Sequence, residues 1–226
     1  MNVIDNTFRL CFQCDNLYLE WDLFAFLLTK EKQIKGHDYL IYYNSKVRCN
    51  SVCNQLLQCE NRKARMRERP CAPEMSVCGS GDAFFDDDDA FLDGDWDYDY
   101  DYCDIFLNRV PADVSEIIVV VSIYDDGREL TFDNSEMKLK LLKSRESYNN
   151  SFFVENFSQG FEKCTAIELI HFVREDDCWA FETVKKGYKG GNSGINRKIL
   201  LKTIPCNLTP YPRQKSTTFS QNIATF

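Results

Sequence analysis

The run "EIIVVVSIY" at residues 116–124 is the feature that most narrows what this chain can become. Ile117, Ile118, Val119, Val120 and Val121 follow one another without a polar interruption. β-Branched side chains are stiff at χ1 and fit a pleated surface better than a helix. A continuous apolar run of this length is expected to be a strand buried on both faces.

The rest of the chain supplies neighbours for such a strand. "TFRLCFQC" (7–14) alternates Phe8, Leu10 and Phe12 against polar residues, and "LYLEWDLFAFLL" (17–28) and "DYLIYY" (38–43) follow it. "EMKLKLLK" (136–143) sets Met137, Leu139 and Leu141 against Lys138 and Lys140, a period of two rather than 3.6. "SFFVENF" (151–157), "TAIELIHFV" (165–173) and "CWAFETVKK" (178–186) continue the pattern, the last two parted by the turn "REDD". About eight strands at short spacing predict an all-β fold, a sandwich or barrel.

One segment departs from this period. "CNSVCNQLLQCENRKARMRER" (49–69) places Val52, Leu56, Cys59 and Met66 at roughly helical spacing, ends in a basic run from Arg62 to Arg69, and is stopped by Pro70 and Pro73. Residues 45–90 are therefore expected to be an insertion with a short helical, Cys-rich segment. Residues 202–226, polar and with three prolines, are expected to be an extended tail.

Charge is the second strong signal. Residues 82–104 hold eleven Asp and no Lys or Arg, while the remainder sets 24 acids against 27 bases, so the net charge of −8 is a local object. Such an object calls for a local partner, a cation or a basic surface. Within it, "DGDWDYDYD" (93–101) places Asp93, Asp95, Asp97, Asp99 and Asp101 at every second position, with Trp96, Tyr98 and Tyr100 between. Crowded carboxylates repel and raise one another's pKa, and a hard divalent cation relieves the crowding by taking six to eight oxygen ligands. The run is not an EF-hand: counted from Asp95 the sixth residue is Tyr100, and counted from Asp89 the twelfth is Tyr100. In an extended strand i and i+2 lie about 6.6–6.8 Å apart along the chain, too wide for one ion to gather every carboxylate. A loop bent at Gly94 and running into a strand could gather the first few. On the residues alone, a metal loop and a solvated acidic loop both stand.

Other chemistry has weaker support. Cys11-x-x-Cys14 has a zinc-like spacing, and Cys49, Cys53, Cys59, Cys71 and Cys78 crowd into the insertion. No paired CxxC set is present, and Cys11 and Cys14 would face opposite sides of a strand, so buried thiols are expected. The chain has two histidines, His37 and His171, and no recognisable nucleophile motif, so it is not expected to be an enzyme. "MNVIDNTFRLCFQC" contains Asp5 and Arg9 and no uninterrupted apolar stretch, so no signal peptide, no membrane span and a cytoplasmic, reducing location are expected.

Several segments occur in a telling order: "EWDLFAFLL" (20–28), "DYLIYYN" (38–44), the acidic stretch, "VPADVSEIIVVVSIYD" (110–125) and "KGYKGGNSGI" (186–195). Together, over residues 7 to about 201, the chain resembles the TerD family of tellurium-resistance and general stress proteins. The resemblance implies a single β-sandwich domain of two antiparallel sheets (residues 1–201) that binds calcium. Its calcium motif is an Asp/Gly-rich loop just before the "VPADV" strand, where "LDGDWDYDYD" stands here. Carried over by position, Leu92, Gly94, Asp97 and Asp99 match the motif, Asp101 replaces a Glu, Asp22 matches the acid before "AFLL", and Asp125 the acid ending the "VPADV" strand. Asp89-Ala90-Phe91 stands where the family has Gly-Asp-Asn, and Trp96 and Tyr98 stand where it has glycines. The expected function is thus calcium binding by Asp22, Asp93, Asp95, Asp97, Asp99, Asp101 and Asp125 in a non-enzymatic module that meets protein partners of a stress-response assembly. The alternative is a calcium-independent interaction module whose acidic loop binds a basic surface, with Arg62–Arg69 as a candidate in the same chain.

Overall fold

The aliphatic run forms the middle of a ten-residue strand, Val114–Ile123, buried on both faces. It lies at the centre of a computed structural model that describes residues 2–3, 7–16, 18–45, 47–49, 69–80, 100–123, 130–143, 151–157, 160–176 and 178–189. The strands, in chain order, are β1 (Asn2–Val3), β2 (Thr7–Cys14), β3 (Trp21–Thr29), β4 (Leu40–Ile41), β5 (Arg48–Cys49), β6 (Arg69–Pro70) and β7 (Val77–Gly79). They continue with β8 (Tyr100–Phe106), β9 (Val114–Ile123), β10 (Met137–Lys143), β11 (Phe153–Phe157), β12 (Ala166–Glu175) and β13 (Cys178–Tyr188).

These strands make a six-stranded sheet, β1-β13-β12-β9-β3-β4, a five-stranded sheet, β11-β10-β2-β8-β7, and a small ribbon, β5-β6. Neighbours in both large sheets are antiparallel. Period two decides which side chains meet. Phe8, Leu10 and Phe12 of β2, Leu139 and Leu141 of β10, and Cys103 and Ile105 of β8 pack against Leu23, Ala25 and Leu27 of β3 and Ile117, Val119 and Val121 of β9. The rings of Phe8 and Phe172, 5.0 Å apart, and of Phe12 and Trp21, edge-on at 5.0 Å, join the two layers.

The run at 116–124 does not alternate because both sides of its sheet carry apolar neighbours. Ile118 and Val120 point away from the inter-sheet core and join Phe24, Phe26 and Leu28 in a second buried cluster. β10 keeps a polar side and alternates as its sequence predicts, with Lys138 exposed and Leu139 buried.

The structure corrects two expectations. "DYLIYY" is a 3-10 turn at His37–Tyr39 followed by a strand of only two residues, because Ser45 takes over the next bonds: its Oγ accepts from Tyr42 N and donates to Leu40 O. The helix expected over 49–69 is not supported. Its two ends are strands, and Cys49 and Arg69 pair with one another across β5 and β6. Residues 50–68 between them lie outside the described residues, as does the expected tail at 202–226. A strand pair holds Arg69 where its side chain reaches β8, which accounts for the extended backbone there. No helix among the described residues is long and apolar enough to cross a membrane.

Gly187 explains the start of "GYKGG". A Cβ at this position would lie 2.3 Å from Cys164 Sγ and 3.3 Å from a Phe161 ring carbon, so no side chain fits. Gly187→Ala is expected to cost about 1–3 kcal/mol through overpacking. Urea denaturation reads the loss, and adding Cys164→Ala should recover part of it by removing the nearest atom. An unchanged midpoint for Gly187→Ala would contradict the steric account.

Candidate functional site

The acidic stretch enters the fold through β8, which begins at Tyr100 and puts Asp101 on the inner side of the small sheet, opposite Phe12. This is the side that alternation assigns to Cys103 and Ile105. The carboxylate is buried and takes up backbone donors: Leu23 N donates to Oδ2 at 3.1 Å and Tyr102 N to Oδ1 at 2.8 Å. β4 pairs only Ala25 and Phe26 of β3, so Leu23 lies beyond its reach and is met by Asp101 from the other sheet. Asp101 also lines a small cavity between the sheet edges, with Tyr42, Tyr43 and Ser80 around it.

Asp22, the neighbour of Leu23, is close enough to Asp101 to repel it. Burial pushes the Asp101 carboxyl up to about 8 against the hydrogen bond from Leu23 N, and Asp22 adds to the rise. Two carboxylates expected from sequence as calcium ligands, 79 positions apart in the chain by number, are therefore brought together. The topology gathers the flanking segments too. β8 starts where β2 ends, with Gln13 opposite Tyr100, and β9 ends beside the start of β3, with Ile123 opposite Trp21. Asp93, Asp95, Asp97, Asp99 and Asp125 lie outside the described residues.

Three residues on, Asp104 faces the opposite side of β8 and is fully buried. Arg9 Nε donates to its Oδ1 at 2.7 Å and Arg69 Nη1 to its Oδ2 at 2.7 Å. Arg69 also donates to the carbonyls of Gly79 at 2.8 Å and Cys78 at 3.0 Å. Both guanidinium groups lie over the Tyr102 ring, at 4.1 and 4.9 Å. Although burial favours the protonated acid, Arg9 and Arg69 hold the Asp104 carboxyl below its usual range.

A second charged cluster covers the outer side of the six-stranded sheet. His171 Nδ1 lies 3.1 Å from Glu116 Oε1, and its Nε2 bonds Glu168 Oε1. Lys32 Nζ donates to Glu116 Oε2 at 2.6 Å, and the Tyr188 hydroxyl donates to Glu168 Oε2. An imidazole that faces carboxylates through both nitrogens must donate from both, which makes it a cation. Burial favours the neutral ring, but the Glu116 and Glu168 carboxylates outweigh it and hold His171 up to about 9. In turn, hydrogen bonds from His171 and Lys32 hold Glu116 low against burial, and those from His171 and Tyr188 do the same for Glu168.

Neither charged cluster is evident from sequence alone. Asp104 reads as the end of the acidic run and Arg69 as the end of a basic helix, and only sheet register brings them together. The one available sign was polar residues within apolar strands: Glu116, Glu168 and His171 interrupt runs that are otherwise buried.

Cys11, Cys14, Cys71, Cys78 and Cys103 are buried free thiols, as expected. Cys14 belongs to the inter-sheet core, while Cys11 stands on the other face opposite Tyr102 and Lys140. No three His, Cys, Asp or Glu side chains converge as metal ligands among the described residues. Cys53 and Cys59 lie outside them.

Comparison with known proteins bears on the fold and the family. The TerD domain profile matches residues 73–198, more than half of the chain. The crystal structure of protein SAV2460, of unknown function, superposes with a TM-score of 0.54 at 15% identity, covering 88% of this chain and 99% of that one. A homologue of telluride resistance protein (TerD), SCO6318 from Streptomyces coelicolor A3(2), gives a TM-score of 0.49 at 14% identity, covering 87% of this chain and 95% of that one. The likeness to SAV2460 is one of fold. No curated protein matches the chain.

Proposed function

The chain belongs to the TerD domain family, and from that premise we propose that it is a calcium-binding, non-enzymatic module of the stress-response type. The observation that carries this reading is the meeting of Asp22 and Asp101 at the end of the sandwich where the acidic stretch enters. Ionising a buried carboxyl pushed up to about 8, with a second carboxylate beside it, is unfavourable without a cation. Among the described residues, the carboxylates of Asp22 and Asp101 are hard oxygen donors, which suit calcium rather than zinc. Each Asp101 oxygen accepts one backbone N–H among the described residues, so once ionised the carboxylate would have a further lone pair on each oxygen for an ion. Asp22 and Asp101 would form the fixed base of the site, and Asp93, Asp95, Asp97, Asp99 and Asp125 are the sequence's candidates for the rest. The ion would supply positive charge that neutralises the cluster, orders the acidic segment and presents a surface to protein partners.

Calcium that binds only the folded chain stabilises it by linkage, about 2.7 kcal/mol at a hundredfold excess over Kd. For a chain of this size that corresponds to a rise in Tm of about 5–10 °C. Chelator should lower Tm by that amount and calcium should restore it, with Asp22→Asn and Asp101→Asn each abolishing the response. An unchanged Tm, together with no heat of calcium binding by calorimetry, would reject the reading.

One observation favours a second reading. Arg69, the end of the basic run, already holds Asp104, the end of the acidic segment. In this reading the acidic stretch is a calcium-independent surface for basic partners. Asp97→Asn with Asp99→Asn separates the two readings: it abolishes calcium binding in the first and only weakens a salt-dependent contact in the second.

A further inference from the structure

The geometry points to Cys71 and Cys78 as a thiol-oxidation site: we propose that a hydroperoxide converts them to a reversible cross-strand disulfide. Cys71, which follows β6, pairs directly with Cys78 of β7 across an antiparallel bridge. Ala72 N donates to Val77 O at 2.8 Å, while Cys71 N turns away to Val47 O at 3.0 Å. That pattern makes Cys71 and Cys78 a non-hydrogen-bonded pair, in which Cα atoms stand about 4.5 Å apart and the side chains are at their closest. The separation falls inside the range a disulfide spans, about 4.4–6.8 Å. Both residues are in the reduced state and buried, and both pack with Phe106 and Met75 in one small cluster. The hairpin is clasped at its turn, where Met75 N donates to Ala72 O at 2.8 Å and Tyr39 Oη donates to Glu74 Oε1 at 2.6 Å.

A second observation concerns reactivity. Arg69 donates to the Cys78 carbonyl, and the Cys78 thiol lies within electrostatic reach of its guanidinium. A neighbouring guanidinium favours the thiolate, the nucleophilic form. Cys11 and Cys103 also have an arginine within electrostatic reach, yet burial pushes their thiols up, Cys11 to about 12, so what sets Cys71 and Cys78 apart is their pairing across the bridge.

The step balances as follows. The Cys78 thiolate attacks the terminal oxygen of the hydroperoxide, the O–O bond breaks, and sulfenic acid forms as alkoxide or hydroxide leaves and takes up a proton. The Cys71 sulfur then attacks the sulfenic sulfur, an S–S bond forms, and water leaves with the Cys71 proton. Two electrons pass from the thiol pair to the peroxide, and an external dithiol reverses the change by exchange. The bond would lock β6 to β7 and so fix Arg69 on Asp104. It depends on nothing in the calcium reading.

The test treats the reduced full-length chain with hydrogen peroxide, quenches it in denaturant with an alkylating agent, and maps the peptides by mass spectrometry. The expected result is that the peptide carrying both cysteines is lighter by two hydrogens, escapes alkylation, and recovers both labels after dithiothreitol. Cys71→Ser should leave Cys78 as a sulfenic acid, trapped by dimedone, with no intrapeptide bond. The exposed Cys178 reports that the peroxide was active. Full alkylation of Cys71 and Cys78 while Cys178 is oxidised would overturn the proposal, as would pairing of either residue with another of the eleven cysteines in the folded chain.

Discussion

Asp104→Ala is expected to destabilise the fold by about 3–5 kcal/mol, the usual cost of stripping the partner from a buried charge. The carboxylate has no exposed surface and answers two arginines, of which Arg69 is 4% exposed and Arg9 25%. Without it, Arg69 retains its bonds to the Gly79 and Cys78 carbonyls but loses the carboxylate to which it is bonded. The loss should therefore come mainly from Arg69, and Arg9→Ala in the Asp104→Ala background should add little. Chemical denaturation of the four chains of that cycle measures this. The pH dependence has a definite sign. Asp104 is held below its ordinary value of 3.8, so its contribution is present above that pH and is lost as pH falls through the lower folded value. The gap between wild type and variant should narrow only on strong acidification. A loss below about 1 kcal/mol would mean that the network behaves like an exposed ion pair.

His171→Asn should be the next largest effect and should have the opposite pH signature. The folded ring titrates near 9 against an ordinary 6.5, so its stabilisation is fully present below 6.5 and disappears as pH rises through 9. That shift corresponds to about 3 kcal/mol. Asparagine cannot supply the positive charge that Glu116 and Glu168 share, so the variant should be weaker by about that amount at pH 6 and approach wild type near pH 10. Subtracting the two stability curves removes the background from other groups, including Asp101. A pH-independent offset would show that His171 acts by shape alone.

Much of the fold was legible because period two is a local property. "TFRLCFQC", "EMKLKLLK" and the aliphatic run each became the strand their pattern predicts. The helix expected over 49–69 is not supported at its ends, because apolar residues three and four apart also arise by chance in a Cys-rich segment and nothing local indicates that Cys49 and Arg69 pair. Asp22 and Asp101 were expected as calcium ligands through the resemblance, and the structure brings the two carboxylates near one another. Asp104, Arg69 and Arg9 were not legible, because their contacts span 95 and 35 positions and exist only once β2, β6 and β8 are in register.

The sequence by itself determined that this chain builds layered β-sheet, that its negative charge is concentrated in one segment, and that the segment leads into a strand. These follow from hydrophobic period and composition, which no partner is needed to express. Tertiary structure decided which way each charge faces. Alternation says that Asp101 and Tyr102 point to opposite sides, but not which side is the core. The pairing of Phe12 with Asp101 turns that carboxylate inward, to the Leu23 N–H beside Asp22, and leaves Asp104 outward for two arginines. A slip of one residue would exchange the two sides. The register between strands, rather than the acidic run itself, therefore separates a carboxylate suited to an ion from one that holds the fold together.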